Sequence, residues 1–391
     1  MPKLKDYKNC TGCGACSAAC GHGAISMKEN SEGFLYPEVN SDLCMDCRIC
    51  EKVCEKTTII PDAAPNIYAM VHSDKETLLA SSSGGAFAAL SEYVLSRGGC
   101  VCGCIYSKQG GVHHIITDDP GKINLMHGSK YVQSRISESL YKELELKLKA
   151  GTLVLFTGTP CQVQGVRVFL KKDYKNLISV DLICHGVPSP KLFNDYISIT
   201  EKKFGEPIYN VSFRDKSKIK KDIHYYMSFR LKNGVKHRYV WADPYFKAFI
   251  NCENHRESCY NCPYAGKNRC GDFTIADYWG VENYHNIDYQ NGCSLIFANS
   301  ALAKELTDVI FERHTLIPSN IDNIKLHQAQ INRASNRPKC RSDFYKNAYK
   351  DGIETWYNSF YKTKAYKKSF ILCHISYTLP ASLRRKLKKS K

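Results

Sequence analysis

From residue 66 onward, the apolar positions fall into short continuous runs that alternate with longer runs of helical period. Ile67–Ser73, Leu153–Thr157 and Ile178–Cys184 are runs of the first kind, too short for helices and apolar enough for strands buried on both faces. Phe87, Leu90, Val94 and Leu95 lie along one side of Gly85–Arg97, which predicts a helix, as does Ser137–Lys149 with its mixed-charge outer face. Pro160 opens a further helix through Leu170, because a proline at the first helical position gives up only an orphan N–H. Pro190–Phe204 is read as another helix, and Cys100–Tyr106 and Val112–Thr117 as strands either side of Gly110–Gly111. Strand–helix units in tandem imply parallel pairing and an α/β layer. Asn233–Gly234 between Tyr225–Leu231 and Val235–Trp241 predicts a hairpin.

The first 60 residues do not follow this alternation; their period is set by cysteine. Cys10, Cys13, Cys16 and Cys20 form one C-x2-C-x2-C-x3-C run, and Cys44, Cys47, Cys50 and Cys54 another. Three thiolates at this spacing wrap one iron–sulfur cube, and the fourth is carried to the neighbouring cube. Cys10, Cys13, Cys16 and Cys54 are therefore assigned to one 4Fe–4S cluster, and Cys44, Cys47, Cys50 and Cys20 to a second. Zinc has no use for the doubled spacing. A disulfide framework fits poorly with a start that carries no apolar signal segment, and no stretch approaches the length of a membrane span. The expected location is the cytoplasm of an oxygen-poor cell. The stretch resembles bacterial two-cluster ferredoxins, with the family's proline after each run replaced by Gly21 and Glu55.

At 391 residues, the chain has room for several domains. The fold expected is an α+β ferredoxin-like iron–sulfur module fused to an α/β domain with a mixed, partly parallel sheet. The divisions are 1–60 for the module, 61–65 for a proline-bearing linker, 66–150 and 151–339 for two regions of the α/β part, and 340–391 for a basic tail. That tail holds thirteen Lys and Arg against three Asp and Glu, so ten of the net +17 charges lie there. Phe370, Ile371, Leu372, Ile375, Tyr377 and Leu379 precede the run Arg384 to Lys391, a pattern that suits a peripheral dock on an anionic membrane or a packed helix with a solvated end. Nucleic acid is not expected, since Tyr345, Tyr349, Trp356 and Tyr361 match no RNA-binding motif.

In an open parallel sheet, ligands collect at the carboxyl ends of the strands. Cys161 follows one strand, Cys184 ends another, and Cys259 and Cys262 form a C-x2-C pair on a loop. Four such thiols at one edge suit a third 4Fe–4S cluster; Cys252 and Cys270 completing a zinc site with the C-x2-C pair is the alternative. His185, beside Cys184, is a candidate proton donor or a hydrogen-bonded strand-end histidine. Ser83, Gly84 and Gly85 open a helix, where free N–H groups favour an anion, and Ser129 and Lys130 add a hydroxyl and a charge. Gly158 stands at the mouth of the helix that carries Cys161. Cys100, Cys102 and Cys104 alternate along a strand and read as small core residues, and His113–His114 as packing. Asp272 and Asp277 flank a further strand, with contact to cofactor or substrate as the candidate role.

The strings SSSGGAF (81–87), GSKYVQS (128–134), FTGTPCQVQG (156–165), VDLICHGVPSP (180–190) and CYNCPYAGKNRCGDFTIADYWG (259–280) occur in this order. Over about 66–335 the chain thereby resembles the beta subunit of coenzyme F-420 hydrogenases and dehydrogenases. The resemblance implies FAD near Ser83, Gly84, Gly85, Ser129, Lys130 and Gly158, and a third cluster on Cys161, Cys184, Cys259 and Cys262. It also implies a redox partner protein or a small-molecule hydride carrier. Members with a fused ferredoxin module look like proteins of surface-polysaccharide gene clusters. Two readings follow: an FAD- and iron–sulfur-dependent reductase, or a non-catalytic subunit that relays electrons to another enzyme.

Overall fold

A computed structural model of the protein describes residues 2–55, 64–108, 111–217 and 225–379. Most of the expected linker, Gly110, the run from Arg384 to Lys391 and the side chains of Glu55 and Tyr377 lie outside the described residues.

The module is built on one hairpin, β1 (Ile25–Glu29) with β2 (Leu35–Val39), and two short helices, Ala15–Ala18 and Ile49–Glu55. The rest of the chain supplies β3 (Asn66–Val71), β4 (Cys100–Ser107), β5 (Gly111–Thr117), β6 (Val154–Thr157) and β7 (Leu177–Leu182), then β8 (Asn210–Asp215), β9 (Tyr226–Leu231) and β10 (Gly234–Tyr239), and finally β11 (Phe273–Asp277), β12 (Ser294–Ala298) and β13 (Thr315–Ser319). Eight of these form one sheet in the order β13-β3-β12-β11-β7-β6-β4-β5. The four central strands, β4, β6, β7 and β11, run parallel, and antiparallel strands flank them on both sides. The sheet is mixed, as the alternating pattern implied. β3, β4 and β5 are hydrogen-bonded into the same sheet as the strands after residue 151, so the expected division at 150/151 does not separate two bodies.

Val154, Leu155 and Phe156 of β6 have no exposed surface, which explains the unbroken apolar run; each such burial is worth about 2 kcal/mol. Pro160–Leu170 is a helix whose first turn is closed by a capping box, Thr159 with Gln162. Pro190–Phe204 begins on the Ser189 hydroxyl, which accepts from the Leu192 amide. β7 stops at Leu182, two residues short of expectation, so Cys184 stands on the loop beyond the sheet. The hairpin pairs Leu231 with Gly234, placing Lys232 and Asn233 at its tip, one residue earlier than the Asn–Gly signal suggests. With β8 it makes a separate three-stranded sheet.

Residues 341–378 are three helices, not a tail: Arg341–Lys350, Ile353–Lys362 and Lys364–Thr378. Phe344, Tyr345 and Tyr357 enter the same core as Phe193, Tyr196 and Phe229. Charge counting missed this because aromatic residues hidden among lysines carry the packing.

Candidate metal centres

In the module, one thiol of each run stands beside the other run. Cys16 is pushed up by burial and then by Cys13, Cys54 and Cys10. Cys50 is pushed up by burial, with Cys20 and Cys47 adding to it. Cys54 therefore neighbours the first run and Cys20 the second. A cavity lined by Cys10, Cys13, Cys16 and Cys54 lies at the first set.

A second gathering of thiols stands at the carboxyl edge of the parallel strands. The helix after β6 presents Cys161 from its first turn, the loop after β7 carries Cys184, and the short turn Glu257–Asn261 brings Cys259 with Cys262 just after it. Burial drives the pKa of Cys161 up, and Cys262 and Cys184 push it further. Cys184 rises to about 11 from burial, with Cys262 adding. Cys259 rises from burial together with Cys184, Cys262 and Cys161. Four half-buried thiols gathered so that they oppose ionisation are a donor set that a cationic centre resolves, since metal binding supplies the charge that deprotonates them.

The other two cysteines of this region point elsewhere. Cys270 donates its S–H toward the Pro160 carbonyl at 3.1 Å and the buried Asp181 carboxylate at 3.3 Å. Cys252 faces His185, whose Nε2 lies 3.4 Å from the thiol. His185 is held on its other side by the Gln330 amide, 2.9 Å from Nδ1, and burial pushes its pKa down. A neutral ring engaged at both nitrogens is a poor proton donor, so the geometry speaks against that role. Asp272 lies at the amino end of β11, where it accepts from Ser179 and pairs with Arg167 at 3.1 Å. Its role there is structural. Asp277, at the carboxyl end of β11, pairs with the buried Arg214, whose guanidinium lies over the half-exposed Trp279 ring.

The residues expected to cradle FAD are committed to the protein itself. The Ser294 hydroxyl takes the amides of Gly84 at 2.9 Å and Ala86 at 3.4 Å, the place a phosphate would occupy. Ser83 donates to the Cys293 carbonyl, the Ser129 amide to Ser82, and the Gly158 amide to the Val180 carbonyl. The Lys130 ammonium, lowered to about 8 by burial, shares its three N–H groups among four carbonyls from Leu125 to Gly128, 2.8–3.2 Å away. As arranged, these groups of Ser83, Gly84, Ser129, Lys130 and Gly158 are already engaged where a pyrophosphate would need them.

The two groups of thiols meet across one helix. Cys161 and Gly165 are four residues apart on Pro160–Leu170, hence on one face. A Cβ on Gly165 would lie 3.0 Å from the Cys13 Cβ and 3.2 Å from its Sγ, so the bare glycine is what admits the module's loop. Cys13 in turn contributes to the raised pKa of Cys161. The module is fastened here by contacts that no local pattern signals. The fully buried Arg256 donates to the carbonyls of Cys10 at 2.7 Å and Leu35 at 2.9 Å. Gln133 donates to Thr11, Tyr141 to Cys13, and Arg341 makes a two-toothed bond to Glu32.

Residues 9–58 match the family model described as 4Fe-4S dicluster domain. Residues 151–323 match the one for the C terminus of the coenzyme F420 hydrogenase/dehydrogenase beta subunit. The matched stretch runs from β6 to β13 and holds all four sheet-edge cysteines. Among curated proteins, the chain is similar to one of the subunits of the F(420)H(2) dehydrogenase of Methanosarcina mazei, 20% identical over 217 residues, which is 51% of this chain. The chain spans 62% of that protein's length. A 68-residue stretch, 17% of this chain, is 38% identical to part of the DNA-directed RNA polymerase subunit Rpo3 of Methanosarcina acetivorans, covering 24% of that subunit. Among solved structures, a chain of the F420-reducing NiFe hydrogenase complex of Methanosarcina barkeri, in a xenon derivative, aligns with TM-score 0.43 and 18% identity over 73% of this chain and 91% of its own.

Proposed function

We propose that the protein is an oxidoreductase subunit that takes electrons in at its ferredoxin module and delivers them at the sheet edge of its beta-subunit region. The observation that carries this reading is the continuity of donors across one helix: Cys13 of the first set lies against Gly165, one turn from Cys161 of the second. Clusters held at these cysteines would move electrons singly. The chain's own part is to keep both sets of thiols dry, close and rigid: Arg256, Gln133 and Tyr141 clamp the loop of Cys10–Cys13 onto the helix that bears Cys161.

FAD as the acceptor, and coenzyme F-420 or another hydride carrier beyond it, are what the resemblance implies. A relay to a partner enzyme is the second reading, and the closed arrangement at Gly84, Lys130 and Ser294 favours it. Anaerobic purification with iron, sulfide and flavin quantification decides between them. About twelve iron and twelve sulfide per chain are expected from three clusters; zinc without acid-labile sulfide would defeat the electron-transfer reading. About one FAD per chain supports the reductase, and flavin-free protein that still passes electrons supports the relay.

Among the described residues, no helix is long and apolar enough to cross a membrane. Phe370, Ile371, Leu372 and Ile375 of the last helix are nonetheless about half exposed. With the basic run that follows, they support peripheral docking on the cytoplasmic face of an anionic membrane, near the lipid-linked glycans of surface-polysaccharide assembly. Attraction of about 1 kcal/mol per basic residue is expected. Co-sedimentation with liposomes should need anionic lipid, weaken with salt and disappear when residues after Ser369 are removed. Equal sedimentation of full and shortened chains defeats the docking.

A further inference from the structure

Beside the four thiols of the sheet edge lies a smaller group that the electron path does not use. His185, Cys252 and His255 place one ligand atom each within 4.8 Å of one another. Three features mark it as built. The imidazole of His255 is fully buried, yet neither ring nitrogen meets hydrogen-bond geometry with any partner; the Phe249 backbone lies near it off that geometry. An interior polar group left so carries a desolvation penalty that a ligand would recover. The ring is seated against Gly186, where a Cβ would come within 2.3 Å of Nδ1, so the backbone has been cleared for it. Cys252 holds a left-handed backbone, φ 59°, unusual for a residue with a side chain, and its thiol faces His185 Nε2 at 3.4 Å. That separation is close to the N···S edge of a zinc tetrahedron, about 3.5 Å from bonds of about 2.05 and 2.3 Å.

We propose that His185, Cys252 and His255 form a mononuclear site for a divalent cation of zinc class, separate from the cluster cysteines. Two imidazoles and one thiolate are a borderline-soft set that suits zinc, and three protein ligands leave one position for water or a substrate oxygen. The Gln330 side-chain amide sits against His185, its Nε2 2.9 Å from Nδ1; a ring that ligates through Nε2 donates Nδ1–H, so metal binding goes with the amide turned to present its oxygen to that proton. The Ser335 hydroxyl donates to the His185 carbonyl at 2.5 Å and pins the loop. His185 Nε2 also lies 3.4 Å from the Ile250 carbonyl, and the Cys252 thiol 3.8 Å from the same oxygen. Both contacts are long enough to yield to a metal. Arg341 donates to the His255 carbonyl, and Glu32 and Glu257 neutralise it.

The test uses the full chain purified anaerobically with its iron and sulfide intact, given zinc sulfate and desalted. The wild type is expected to retain about one zinc per chain, with two nitrogen or oxygen neighbours and one sulfur among its protein ligands by X-ray absorption. Cys252→Ser and His255→Gln should lose that zinc while keeping iron and sulfide, and Gln330→Ala should weaken zinc binding about 10–100-fold. Wild type that retains no zinc overturns the proposal. So does zinc in an all-sulfur shell, which would mark a vacated cluster position, and so does iron lost with Cys252→Ser, which would make Cys252 a cluster ligand. Should the variants fail to fold, the absorption spectrum of the wild type decides by itself.

Discussion

Cys161→Ser should remove about four of about twelve iron atoms and stop delivery of electrons to any acceptor, while the ferredoxin module stays reducible. The half-buried thiol stands at the head of the helix that touches the module, and Cys262 and Cys184 oppose its ionisation from across the edge. Loss of one ligand therefore empties that centre and opens the path at its midpoint. Cys270→Ser is the matched control, because that thiol is spent on Pro160 and Asp181 and should leave iron unchanged. Iron and sulfide analysis, with reduction of the module followed by its absorbance, reads both outcomes. Full iron content with unimpaired electron delivery in Cys161→Ser would remove the sheet-edge centre from the pathway.

The second large effect is expected from Arg256→Met. Its guanidinium serves the Cys10 and Leu35 carbonyls and the Gln133 side chain, lies 4.0 Å from the Tyr36 ring centroid, and reaches within 3.7 Å of the Cys10 sulfur. Methionine keeps much of the volume but leaves buried acceptors without donors, a loss on the order of 2–5 kcal/mol. Thermal unfolding should shift accordingly, and hydrogen exchange should quicken at residues 10–13 and 34–36. The potential of the nearest cluster should fall, since a cation and a donor at its sulfur would be gone. Arg256→Lys should recover only part of this, because an ammonium cannot reproduce the planar fork. Unchanged melting and exchange in Arg256→Met would mean that the module is held by other contacts.

What could be read without coordinates had a local cause. The doubled cysteine spacing announces its chemistry because each run wraps a cluster with residues two and three apart. The strands β6 and β7 and the helices beginning at Pro160 and Pro190 announce themselves through apolar runs and N-terminal proline. Order of motifs along the chain, together with those strand ends, brought Cys161, Cys184, Cys259 and Cys262 to one edge on paper, and the fold gathers those thiols there. The tail at 341–378 misled because net charge is a sum over residues, whereas packing depends on which faces Phe344, Tyr345 and Tyr357 occupy.

The expected FAD cradle shows the opposite limit. Glycines before a helix advertise free amides, but Ser294, more than two hundred residues away, already fills that position above Gly84. Arg256 clamping Cys10, Glu32 answering Arg341 and the unpaired ring of His255 beside His185 likewise join residues far apart in sequence. The sequence alone determined which residue types could bind metal and which segments could be strands or helices, because those depend on near neighbours. Only the tertiary structure decided which donors share a space and which are already satisfied, because hydrogen-bond saturation and burial are properties of contacts between distant segments.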